Sequence, residues 1–209
     1  MNDSEIRNTF HQKHLRHQHA HKDTIIIEEL GLNHGKNRAD IAVLNGRFIG
    51  YEIKSDNDSL HRLEDQIKSY NTIFDKAYIV VGDRYSRIIH NDIPPWWGII
   101  TALKNKDDIE FNISRDAQMN KFVKPVSIAR LLWRNEVLEI LEQKQACSNI
   151  RKQSREILYH HLIDALNISE LRKAVKYFMR KRINWRYPKR LLQDDDLSPR
   201  LPITCDSEF

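Results

Sequence analysis

Two carboxylates and one lysine stand at a spacing that could hold a metal ion. Asp40 is followed after eleven residues by Glu52, and Lys54 comes one residue later. Because side chains alternate along a strand, Glu52 and Lys54 would share one face while Ile53 points into the core. Carboxylate oxygens are ligands that Mg²⁺ and Mn²⁺ prefer, and a lysine can orient a water or stabilise charge on a phosphate. The spacing therefore predicts metal-assisted chemistry on a phosphate group.

A hairpin would have to bring the first acid to the second. Residues 39–44 (ADIAVL) and 47–54 (RFIGYEIK) read as strands, and Asn45-Gly46 between them is a strong turn signal. A two-residue turn would place Asp40 and Glu52 on opposite faces of the sheet, which would separate the acids.

A three-residue loop with its glycine in the left-handed conformation removes this conflict. It pairs Val43 with Arg47. Asp40 then faces Gly50, and Glu52 becomes its diagonal neighbour, roughly 7 Å away. We therefore predict the three-residue loop.

A helix after these strands adds polar groups. Its apolar spacing predicts a helix over 60–74, capped by Asp58-Ser59. Arg62, Gln66 and Tyr70 recur every four residues, so they line one stripe of that helix. The alternative is that Gln66 lies at the surface and Tyr70 in the core.

The stretch from 31 to 82 resembles a bacterial and phage family of uncharacterised PD-(D/E)XK nuclease-like proteins, known by a locus-tag name. The segments PPWWGI (94–99), ARLLWRNEVLEIL (129–141) and INWR (183–186) resemble it too, so the similarity spans about 25–187. The resemblance implies a restriction-endonuclease-like fold, in which helices flank a central mixed β-sheet.

The resemblance also implies roles for individual residues. Asp40 and Glu52 would bind the metal together with the Ile53 carbonyl, and Lys54 would be the catalytic lysine. Gln66 would support the catalytic site. On the same helix, Arg62 and Tyr70 would contact the nucleic-acid backbone.

Members of this superfamily often add an acid upstream of the aspartate. Glu29, at the end of a predicted strand that begins at Ile25, is our candidate, with Glu28 as the second choice. A solvated strand end is the alternative. Arg38 lies near the site in sequence and could contact nucleic acid.

A basic segment lies near the C-terminus. Residues 172–190 hold nine lysines and arginines and no acid, with Tyr177, Trp185 and Tyr187 interleaved. Basic groups can contact phosphates and aromatic rings can stack on unpaired bases, so this segment is a second candidate nucleic-acid surface. The alternative is a solvated helix face. The candidate contacts are Arg180, Arg182 and Arg186.

The remaining pattern predicts an α/β chain. We expect a nuclease-like core over 1–125, a basic helical subdomain over 126–190 and a flexible tail over 191–209. The formal charge is +5 and the pI is about 9.1, which permits a polyanionic partner. With no signal peptide and no membrane-length apolar run, we expect a cytoplasmic protein.

Two functions compete at this point. The first is a divalent-metal-dependent endo- or exonuclease that hydrolyses phosphodiester bonds in DNA, with Mg²⁺ or Mn²⁺ as cofactor. The alternative is a weak or inactive protein of the same fold that serves as a nucleic-acid-binding or regulatory module. RNA is a further possible substrate. The sequence leaves the oligomeric state open.

Overall fold

The structure is a computed structural model that describes residues 1–106, 108–145 and 150–186, with side chains described up to 182. The tail predicted over 191–209 lies outside the described residues. The helices and strands, in chain order, are α1 (Asp3–Lys13), α2 (Arg16–Ala20), β1 (Ile25–Leu32), β2 (Asn37–Leu44), β3 (Phe48–Lys54), α3 (Leu63–Ile73), β4 (Lys76–Gly82), β5 (Gly98–Asn105), β6 (Asp108–Arg115), α4 (Pro125–Ala129), α5 (Arg134–Gln143), α6 (Arg155–Ala165) and α7 (Ile168–Arg186).

The six strands form one mixed sheet in the order β1-β2-β3-β4-β5-β6. The first three strands are antiparallel neighbours, β3, β4 and β5 run parallel, and β6 returns antiparallel to β5. Helix α3 is the crossover that a parallel β3–β4 pair requires. The prediction of an α/β chain with a mixed sheet flanked by helices is confirmed.

Two apolar clusters cover the two sides of the sheet. The larger one joins the sheet to α3 and to the helices after residue 125. The smaller one includes Ile6 and Phe10 of α1, both fully buried. Helix α1 therefore belongs to the folded core. Its first turn is closed by a capping box between Asn2 and Glu5.

The β2–β3 loop has the predicted length but a different register. Leu44 pairs with Phe48 and Val43 with Ile49, so the loop consists of residues 45–47, and its glycine has a φ of 102°. The predicted pairing of Val43 with Arg47 is wrong, and so is the predicted position of Asp40 opposite Gly50, because Gly50 pairs with Ala42. The reason is that Phe48, which is buried, takes the first paired position, so Arg47 is left in the exposed loop.

Helix α3 begins later than the sequence predicts. Its N-cap is Arg62, and no side chain caps it. The Asp58 carboxylate instead accepts hydrogen bonds from the Ser55 backbone N–H (2.8 Å) and hydroxyl (2.6 Å). Asp58 therefore closes the turn after β3, and the prediction of an Asp58-Ser59 cap is wrong.

A partly buried ion pair ties the C-terminal helices to the sheet. Asp75 accepts a hydrogen bond from the Phe48 N–H at 2.8 Å and pairs with Arg172 of α7. The larger apolar cluster also continues from the strands into α4–α7. The domain boundary at residue 125 stays a prediction, and packing is continuous across it. Among the described residues, no helix is both long and apolar enough to cross a bilayer.

Replacing Gly50 with alanine should destabilise the protein. An added Cβ would lie 2.7 Å from the Phe74 ring and 2.8 Å from the Tyr70 ring, which is too close for either fully buried side chain to accommodate. We expect Gly50→Ala to lower the free energy of unfolding by about 1–3 kcal/mol in urea titrations.

The matched control is Gly31→Ala in β1. The nearest atom to its added Cβ is 3.8 Å away, at ordinary contact distance. Equal urea midpoints for the two variants would contradict the proposed crowding at Gly50.

Candidate functional site

Glu52 lies at the centre of the site and is fully buried in β3. Its Oε1 atom accepts hydrogen bonds from Lys54 Nζ, at 2.8 Å, and from the Gln66 side-chain amide. Its Oε2 atom accepts from the Tyr70 hydroxyl at 2.8 Å. A buried carboxylate is costly unless donors satisfy it, and here strand β3 and helix α3 supply three.

Gln66 links the acid to the lysine. While its amide N–H donates to Glu52, its Oε1 atom accepts from Lys54 Nζ at 3.0 Å. Both Glu52 and Lys54 are buried, so this network is nearly shielded from water. The spacing of Gln66 and Tyr70 on one helical stripe brings both to the acid. The catalytic role of Gln66 stays a prediction. The Tyr70 side chain is fully buried, as the alternative of a core residue predicts, so it offers nucleic acid no exposed surface.

Asp40 joins the site from β2. Its Oδ2 atom accepts a hydrogen bond from the Ile53 N–H at 2.7 Å. Asp40 therefore contacts β3 at the residue that lies between Glu52 and Lys54. Its Oδ1 atom lies 3.2 Å from an Arg7 guanidinium nitrogen. We call Asp40, Glu52, Lys54, Gln66 and Tyr70 the acid–lysine site.

Burial governs the electrostatics of this site. It raises the pKa of Glu52 from an ordinary 4.5 to about 7, and the negative charge of Asp40 adds to the rise, while Lys54 and Tyr70 oppose it. Burial also raises the pKa of Asp40, against the Ile53 N–H and Arg7, which lower it. Two acids in one desolvated space therefore hold their protons more tightly than free carboxyl groups.

Glu29 stands across from Asp40 in a strained conformation. In β1 the neighbouring residues Glu28 and Leu30 pair with Ile41 and Ala39, which places Glu29 opposite Asp40. Its φ of 52° is uncommon for a residue with a Cβ, and such strain clusters at functional sites.

The structure distinguishes the two upstream acids. The Glu29 carboxylate lies 3.0 Å from Arg7, which also contacts Asp40. Glu28 instead contacts His11 at 3.1 Å. Glu29 is therefore the acid that shares Arg7 with Asp40, and its role as a metal ligand stays a prediction.

Arg7 is the site residue that the sequence analysis missed. It lies 33 residues from Asp40, and only the docking of α1 on the sheet brings it there. The available signal was the apolar pair Ile6 and Phe10, one turn apart, which indicated that α1 has a buried side.

The arginines predicted to contact nucleic acid differ in their surroundings. Arg38 and Arg62 are exposed; Arg38 lies 3.7 Å from Glu29, and Arg62 is the N-cap of α3, four residues before Gln66. Arg180 donates to the Lys22 carbonyl at 3.1 Å. Arg182 pairs with Glu136 and stacks on Trp133, so it contributes to helix packing. The last candidate is Arg186, whose side chain lies outside the described residues.

Among the residues that the structure describes, no three His, Cys, Asp or Glu side chains are arranged to hold a metal ion. The acids of the site instead face the cationic groups of Arg7 and Lys54. Their oxygen atoms are of the type that hard cations prefer, so the donor chemistry fits Mg²⁺ or Mn²⁺ once a cationic side chain is displaced.

Replacing Glu52 with glutamine should change how stability depends on pH. Because the folded protein raises the pKa of Glu52, its contribution is fully present below about pH 4.5 and is lost as pH rises through about 7. We expect wild type to lose roughly 3 kcal/mol relative to Glu52→Gln across this window, measured by urea unfolding at each pH.

Glu110→Gln is the control, since Glu110 is exposed on β6. Its difference from wild type should stay nearly constant between pH 4.5 and 7. A constant difference for Glu52→Gln as well would contradict the raised pKa.

Comparisons with known proteins give the family. The family described as bacteriophage P4 protein cII matches residues 1–194. Protein cII of Enterobacteria phage P4 is 30% identical over 125 residues, which is 58% of this chain and 46% of that protein. The chain thus spans about half the length of that relative. No solved structure matches the chain.

These matches correct the sequence analysis. The assignment to a PD-(D/E)XK nuclease family is wrong, and so is the nuclease function that it implied, because the matching family is the phage cII family. The physical reason is that an acid-x-Lys strand followed by a polar helix stripe is a short pattern, which defines local geometry and does not identify a family. The chain belongs to the bacteriophage P4 protein cII family.

Proposed function

We propose that the acid–lysine site binds a divalent cation, Mg²⁺ or Mn²⁺, and that the protein contacts nucleic acid, with DNA as the first candidate. The observation that carries the cation proposal is the full burial of Glu52 beside a second carboxylate. Two acids in a desolvated space repel each other, so the site gains free energy when a cation binds between them.

The donors for the cation would be oxygen atoms. Asp40 and Glu52 supply carboxylates, the Ile53 carbonyl is a third candidate, and Glu29 stands across from Asp40. Hard divalent ions prefer such a set over nitrogen or sulfur donors. When bound, the ion would supply positive charge for a phosphate oxygen, while Lys54 and Gln66 hold Glu52 in place.

The fold proposal is a restriction-endonuclease-like arrangement. It is supported by the antiparallel β1-β2-β3 meander, the α3 crossover and the parallel β4 strand, with helices on both sides of the sheet. The proposal concerns the arrangement of the chain and assigns no reaction. That the protein is an enzyme stays a prediction.

Charge supports the nucleic-acid proposal. The chain carries a formal charge of +5. Two exposed arginines lie next to elements of the site: Arg38 is 3.7 Å from Glu29, and Arg62 is the N-cap of the helix that carries Gln66. Arginines contact phosphates independently of base sequence, so this surface suits a nucleic-acid backbone.

Removing either acid should weaken divalent-ion binding. We expect Asp40→Asn and Glu52→Gln each to reduce Mn²⁺ affinity at least about tenfold by isothermal titration calorimetry, since each replaces a charged ligand with a neutral one. Glu110→Gln should bind like wild type. Unchanged affinity in both site variants would remove the cation proposal.

Removing the flanking arginines should weaken DNA binding and its salt dependence. For the double variant Arg38→Ala, Arg62→Ala we expect a shallower plot of log affinity against log salt, by about 2 units for two lost phosphate contacts. Fluorescence anisotropy with duplex and single-stranded DNA measures this.

Arg47→Ala is the control, because Arg47 is exposed in the loop at the opposite end of β3. It should leave the slope unchanged within half a unit. RNA of the same sequence tests the choice of DNA, and tighter binding of RNA would overturn it. An unchanged slope in the double variant would contradict the proposed surface.

A further inference from the structure

We infer that Arg7, from outside the acid–lysine site, sets the affinity of that site for a divalent ion by competing with the ion for Asp40 and Glu29. This inference rests on the proposed cation binding. It adds a residue from α1 that determines how tightly the cation is held.

The contacts place the Arg7 guanidinium between the two acids. One guanidinium nitrogen lies 3.2 Å from Asp40 Oδ1, and the other lies 3.0 Å from Glu29 Oε1. The second nitrogen also donates to the Asp40 backbone carbonyl at 3.1 Å. Arg7 therefore occupies three oxygen atoms at the place where a cation would be bound.

The charges favour exchange over addition. With every group ionised, Asp40, Glu29 and Glu52 carry three negative charges, and Arg7, Arg38 and Lys54 carry three positive charges beside them. A divalent ion that binds beside all three cations would add two positive charges to this group. A divalent ion that replaces Arg7 adds one positive charge next to the buried Glu52, so replacement costs less than binding beside Arg7.

Arg7 can leave these acids while α1 stays docked. Ile6 and Phe10 hold the helix in the core, and both are fully buried. Asp3, one turn earlier, already lies 3.2 Å from the guanidinium and is 40% exposed at its side chain. The guanidinium therefore keeps an anionic partner at the surface when it releases Asp40.

Replacing Arg7 with glutamine tests the inference. We expect Arg7→Gln to bind Mn²⁺ at least about tenfold more tightly than wild type by isothermal titration calorimetry at pH 8, since the competing charge is gone. Arg7→Lys keeps one charge but loses the two-nitrogen fork, so its affinity should lie between the two.

Lys13→Gln is the matched control. Lys13 lies on the same helix and pairs with Asp108, away from the acid–lysine site. It removes the same charge and should bind Mn²⁺ like wild type. Equal tightening in Lys13→Gln would show a general charge effect and would overturn the inference.

A second measurement uses the unaltered protein. Titration with Mg²⁺ should shift the NMR signal of the Arg7 Nε–H group as the guanidinium leaves Asp40. If wild type binds Mn²⁺ while Arg7→Gln binds it no more tightly, the inference fails and the proposed function stands. If neither protein binds Mn²⁺, both fail.

Discussion

The buried carboxylate of Glu52 imposes the constraint on which the site depends. A carboxylate removed from water needs donors at both oxygen atoms, and Lys54, Gln66 and Tyr70 supply them. This requirement fixes which side of β3 faces α3. It also fixes the rotation of α3 about its axis, since Gln66 and Tyr70 must both reach the same acid. The same orientation of α3 therefore satisfies both the hydrogen bonds of Glu52 and the packing of this helix on the sheet.

Much of this arrangement follows from local sequence. Alternation over 47–54 places Glu52 and Lys54 on one face, and helical spacing places Gln66 and Tyr70 on one stripe. Such periodicities act over a few residues, so a single sequence reveals them. The three-residue loop between β2 and β3 follows for the same reason, because only an odd loop keeps Asp40 beside Glu52.

The features that escaped prediction depend on tertiary structure. Arg7 reaches Asp40 only because α1 docks on the sheet, and no local spacing encodes that docking. The start of α3 depends on Asp58, whose carboxylate is taken by Ser55. The family escaped prediction for another reason. Glu52 and Lys54 define a chemical environment, and one environment can serve proteins with different roles.

The tie between Asp75 and Arg172 gives the C-terminal helices an influence over the acid–lysine site. Asp75 accepts the N–H of Phe48, the first residue of the strand that ends in Glu52, Ile53 and Lys54. A change in α7 that removes the Arg172 charge would leave the buried Asp75 carboxylate without its counter-charge at the start of this strand. Substitutions at Arg172 in α7 are therefore constrained by the buried Asp75 carboxylate, which belongs to the sheet part of the chain.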